Sequence, residues 1–133
     1  MTLSARQLAT ANQRRKRLVA IAESLPEVTV EPIGHGDSGH LVFQIRKKKL
    51  AYYQFDHHGD GMIALVCKSN LPTQRRLVQS DPETFFVPAY VGSRGWIGLR
   101  LDLDEVDWEM ATELLKQGYQ EIAPRKLAMM IDA

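Results

Sequence analysis

The chain has 133 residues and a formal net charge of +1, with 17 Lys and Arg against 16 Asp and Glu. That length suits one domain able to bury a core without disulfide or metal, and the near balance lacks the clear basic excess usual in a dedicated DNA-binding domain. A single cysteine, Cys67, excludes an internal disulfide, and no apolar run approaches the roughly 20 residues of a membrane-spanning helix.

Ser4 with Gln7 three residues on reads as a capping box that opens a first helix. Leu18, Ile21, Ala22 and Leu25 then fall on one apolar stripe, and Pro26 ends it. The run Arg14-Arg15-Lys16-Arg17 must wrap around this helix, because consecutive residues step about 100° each. It is expected to be a solubilising turn. From Val28 the period changes to two, which gives a short strand suited by Pro32 to a sheet edge.

Gly34 to Gly39 is turn composition. His40 to Ile45 and Leu50 to Phe55 read as a hairpin whose tip, Arg46 to Lys49, is wholly basic. Asp56 to Gly61 is a second loop and Met62 to Cys67 a third apolar strand, so an antiparallel meander is expected. Asn70 caps a short helix with Pro72 in its first turn, buried through Leu77 and Val78 and closed by Asp81-Pro82. The aromatic stretch Phe85 to Leu103 supplies two further strands, with Gly95 and Gly98 flanking Trp96. Asp104 or Asp107 caps a last helix whose stripe is Trp108, Ala111, Leu115 and Tyr119. Pro124 stops it, leaving Arg125 to Ala133 as a tail or short extra turn. The expected architecture is one α+β domain spanning residues 1–133, with an antiparallel sheet of five or six strands and three main helices.

The pattern F-F-V-P-x-Y-V-G-x-R-G-W-x-G-x-R-L-D over Phe85 to Asp102, followed by Val106-Asp107-Trp108 and a helix ending at Tyr119, resembles the MmcQ/YjbR family of small bacterial proteins. Leu25-Pro26, Leu41 to Phe43 and the strand at Lys49 extend the likeness through most of the chain. The resemblance implies a double-wing-like fold, for which such proteins are often labelled DNA-binding. That label is a fold analogy and carries no chemistry of its own. Many members carry His immediately before the tryptophan matched by Trp96; here Gly95 stands there, preceded by Arg94, so no role of that histidine carries over.

Weighed as chemistry, most constellations are bland. His35, His40, His57 and His58 stand near Asp37, Asp56 and Asp60, yet their spacing matches no recognised metal site, and no metal or cofactor is expected. Cys67 sits among apolar residues and reads as a buried structural thiol. Gly34-x-Gly36-x-x-Gly39 spells a dinucleotide fingerprint but leads into a strand, so no helix N-terminus awaits a pyrophosphate. No nucleophile, base and oxyanion site can be placed together, so an enzyme is not the expected class.

The basic tip is the best lead. Arg46, Lys47, Lys48 and Lys49, with Arg94 and Arg100, could grip phosphates as a wing does, whereas lysines at strand edges also simply prevent aggregation. Acids dominate Asp102 to Glu113, so the surface is polarised rather than basic. The leading expectation is a non-enzymatic nucleic-acid-binding or regulatory module with DNA as candidate partner. The alternative is a small-ligand or protein-binding pocket around Tyr90, Arg94, Trp96 and Trp108. A cytoplasmic monomer or weak homodimer away from membranes completes the reading, since Met1 to Ala11 lacks a signal-peptide pattern.

Overall fold

The fold is described from a computed structural model, over residues 4–34, 39–55 and 62–131. Helix α1 spans Ala5–Glu23 and opens on the expected box: Ser4 Oγ accepts from Gln7 N at 3.1 Å, and Gln7 Oε1 accepts from Ser4 N at 2.7 Å. Strands β1 (Val28–Pro32), β2 (Leu41–Ile45), β3 (Lys48–Phe55) and β4 (Ile63–Cys67) form the meander. Helix α2 (Leu71–Ser80) follows, then β5 (Phe85–Phe86), a 3-10 turn at Gly92–Arg94 and β6 (Ile97–Arg100). Helix α3 (Trp108–Ile122) and the single turn α4 (Arg125–Ala128) follow, so among the described residues three main helices accompany six strands.

All neighbouring strands are antiparallel, in the order β1-β2-β3-β4-β6-β5. Pro32 lies on the edge strand β1, where its missing N–H costs no ladder bond. The β4–α2–β5 excursion leaves a slot that β6 fills on its return. Alternation along the strands points Phe43, Ile45, Tyr53, Leu65, Cys67, Ile97 and Leu99 into one core, where α1 and α3 contribute Leu18, Ala22, Leu114, Leu115 and Tyr119. Two buried side chains stitch helices to sheet and to each other: Tyr53 Oη donates to Ala11 O at 3.3 Å, and Tyr119 Oη to Pro26 O at 2.8 Å. The other sheet face carries Val42, Tyr52, Val66, Gly98 and Phe86 in one cross-strand row. Gly98 is required there, because a Cβ would stand 2.4 Å from the Phe86 ring.

Several local readings change. Asp107, not Asp104, caps α3 by accepting from Met110 N at 3.0 Å. The Arg14 to Arg17 run is not merely solubilising. Arg14 donates to Leu101 O at 2.5 Å, Leu103 O at 2.6 Å and Asp104 O at 3.4 Å, and the Arg17 guanidinium lies 4.7 Å from the centre of the Trp108 ring. These contacts tie α1 to the segment between β6 and α3. The final stretch is helical over Arg125–Ala128 and anchors Leu127 in the core. Among the described residues, no helix is long and apolar enough to cross a membrane.

Candidate nucleic-acid interface

The basic hairpin is tighter than its sequence implies. Its turn is two residues, Arg46 and Lys47, at φ 46° and 72°, while Lys48 and Lys49 already pair within the β2–β3 ladder. A two-residue turn with both centres left-handed matches the twist of a hairpin and is normally filled by Asn-Gly. Two long cations there place charge at the apex despite a conformational cost. The ladder slips between Phe43 and Gln44, which leaves Leu50 as an extra residue in β3. Leu50 and Ala51 are both fully buried beyond the slip, while Lys47, Lys48 and Lys49 are all exposed.

Arg46 is not free. Its Nε and Nη2 donate to the Glu27 carboxylate at 2.8 and 3.0 Å, and Glu27 is itself left-handed at φ 64°. This pairing, led by the hydrogen bonds, lowers the Glu27 pKa and raises that of Arg46. Both side chains are about half exposed, so water and salt screen the pair.

Topology brings other groups to the same end of the sheet. The rung Ala51–Cys67–Ile97 lies there, so Lys68, the Gly92–Arg94 turn and the loop leaving β5 all surround the hairpin end. The turn is held from below: Gln74, buried on α2, donates Nε2 to Gly92 O at 2.8 Å and to Trp96 O at 2.7 Å. Gly95 closes it at φ 90°, and a Cβ there would stand 2.6 Å from Leu71 N. Arg94 and Tyr90 are exposed on this support. A small cleft of about 200 Å³, lined by Ile45, Arg46, Lys48, Ile122, Ala123 and Pro124, sets the start of α4 beside the hairpin. The exposed Arg125 and Lys126 therefore begin next to it. Sequence reasoning missed both; a Pro-Arg-Lys sequence just after a helix stop was the available signal.

Arg100 belongs elsewhere. It pairs opposite Ala64, three rungs from Ile97, and donates to the Asp102 carboxylate at 3.1 and 2.8 Å in a partly buried ion pair. The expected aromatic pocket is likewise not assembled. Trp96 is 5% exposed, its ring 5.7 Å from that of Tyr52. Trp108 lies in the first turn of α3, about 20 Å along the helix from Glu121, whose carboxylate meets Asn70 Nδ2 at the other end. The two tryptophans occupy opposite ends because one opens β6 and the other opens α3.

A wider cleft, about 600 Å³, lies between α1 and the ends of β1 to β3, lined by Leu8, Asn12, Arg15, His40, Tyr53 and Phe55 among others. Arg15 Nε is buried there without a hydrogen-bond partner. Burial pushes the Tyr53 hydroxyl up to about 12, with nearby Arg15 acting in the opposite sense. His35, His57 and His58 lie outside the described residues, so their convergence with His40 is not described. Among the described residues no three His, Cys, Asp or Glu side chains group closely enough to hold a metal ion. Cys67 is fully buried, its thiol donates to Leu114 O at 3.4 Å, and burial pushes its pKa up, so the reactive thiolate is suppressed.

Residues 23–121, roughly three quarters of the chain, match the YjbR family profile. The crystal structure of the Deinococcus radiodurans protein DR2400, a DUF419 domain, superposes with a TM-score of 0.65 at 21% identity, covering 84% of this chain and 79% of that one. At that identity the likeness concerns fold alone. No protein of curated function matches the chain. By the extent of the profile match, the chain belongs to the YjbR family.

Proposed function

We propose that the hairpin end of the sheet binds nucleic acid through its phosphates, without a chemical step. The observation that carries this reading is the left-handed Arg46–Lys47 turn, followed directly by Lys48 and Lys49. Arg46 is accounted for by Glu27, but an exposed Lys47 at a turn position that favours Gly is hard to explain by folding alone. Lys47, Lys48, Lys49, Arg94, Arg125 and Lys126 are all exposed around this end. A polyanion laid across it would release counterions, while the near-neutral whole confines binding to one surface. DNA is the partner the reading takes first. It operates in a monomer or weak homodimer in the cytoplasm, where the reduced, buried Cys67 is at home.

The test is fluorescence anisotropy of a labelled random duplex across a salt series. Affinity should fall steeply with salt, and Lys47→Glu with Lys48→Glu and Lys49→Glu should reduce the slope of log affinity against log salt by about 3. A salt-independent affinity, or a triple variant that binds as wild type, sinks the reading.

A further inference from the structure

Tyr90 is not explained by phosphate contacts. It adopts φ 66° and is 83% exposed, whereas Tyr53 and Tyr119 are buried at 1% and 0%. A bulky side chain with positive φ is an outlier, and Gly or Asn would suit that position better. An exposed ring contributes almost no buried area, so neither backbone preference nor packing selects tyrosine here.

Its root is firmly held. Gly92 N donates to Pro88 O at 3.1 Å, Gly95 N to Gly92 O at 3.0 Å, and Gln74 fixes the far side of the turn. Around it, Val87 and Leu71 are 56% and 38% exposed, and a Cβ on Gly92 would meet Val87 Cγ1 at 2.5 Å. The corner thus exposes an aromatic ring together with two apolar side chains, with exposed Arg94 four residues on. Strand β5 runs toward the hairpin end, so this corner and the lysines share one end of the sheet. Only β4 separates β3 from β6, a span of about 10 Å.

Resting on the nucleic-acid reading, we propose that Tyr90 is a stacking platform that makes this surface prefer single-stranded nucleic acid. An unpaired base lies on the Tyr90 ring while its neighbouring phosphates follow Arg94 and Lys47 to Lys49. The π-faces of duplex bases are already stacked, so a duplex gains only the phosphate term. The exposed cations favour a nucleic-acid strand over a protein as the occupant of this corner.

The experiment compares a labelled 20-nucleotide single strand with the corresponding duplex, at one salt concentration, for wild type, Tyr90→Ala, Tyr90→Phe and Tyr90→Gly. Wild type should favour the strand. Tyr90→Ala should lose about tenfold in strand affinity, about 1.4 kcal/mol, with duplex affinity unchanged, and Tyr90→Phe should retain binding. Tyr90→Gly relieves the left-handed strain, so it should bind the strand poorly while melting no lower than wild type; misfolding then cannot account for the loss. Equal affinity for strand and duplex, unaffected by Tyr90→Ala, overturns the stacking role and leaves the phosphate reading standing. No binding of either probe by wild type overturns both. Self-association or protein binding that depends on Tyr90, without a strand preference, overturns the proposal in favour of a protein contact.

Discussion

The two ends of the sheet use the same residue types in opposite ways. At the far end, Arg14 spends its guanidinium on the carbonyls of Leu101, Leu103 and Asp104, and Arg100 is clasped by Asp102. At the hairpin end, Lys47, Lys48, Lys49 and Arg94 are exposed, and the ion pair of Arg46 with Glu27 is open to solvent. Charge at the far end holds elements together; charge at the hairpin end is presented. The hairpin end also accumulates unfavourable conformations, with positive φ at Glu27, Arg46, Lys47 and Tyr90. Composition alone cannot reveal this division, because a cation is classified by what its neighbours do with it.

Breaking the presented end should change binding without changing folding. Reversing Lys47, Lys48 and Lys49 to Glu is expected to lower nucleic-acid affinity by about a hundredfold at low salt, read by anisotropy. The melting temperature should move little, because these side chains are exposed. Breaking the far end should do the reverse. Arg14→Ala leaves partly buried carbonyls without their donor and should cost about 2–3 kcal/mol in denaturant unfolding, with affinity of the folded protein unchanged.

Replacing Arg46-Lys47 by Asn-Gly sharpens the contrast. The turn gains its preferred residues, so stability should rise by up to about 1 kcal/mol, while the loss of two cations weakens binding. The smallest effect is alkaline. Tyr53 is raised from its ordinary value to about 12, so the unfolded chain loses its phenolic proton first. Its contribution is therefore complete below about pH 10 and is lost as pH rises toward 12, and Tyr53→Phe should flatten that part of the stability profile. Binding near neutral pH should be unaffected by that change.

Much of the fold was legible because periodicity and caps are local. Ser4-Gln7, Asn70 and Pro26 mark helix ends by chemistry that acts within three or four residues, and the structure uses each. The order of strands in the sheet was not legible, since β6 entering between β4 and β5 depends on packing rather than on any local signal. The candidate site was half legible. The basic tip is a run in sequence, but the two-residue turn within it is hidden, because Arg-Lys carries no left-handed signature. Arg94 reads correctly as a loop residue. Arg100 reads as an equivalent cation until Asp102, two positions on along the same segment, is seen to fold back and claim it. Trp96 and Trp108 look like neighbours in sequence, yet a strand, a linker and a helix start set them at opposite ends.

The most direct measurement is an amide chemical-shift titration of the folded protein with a short single strand. The account predicts that perturbed signals gather at residues 46–49, 90–94 and 125–126, while Arg14 and residues 100–104 stay still. Perturbations centred on the far end, or on the Arg15 cleft with the hairpin silent, would contradict it.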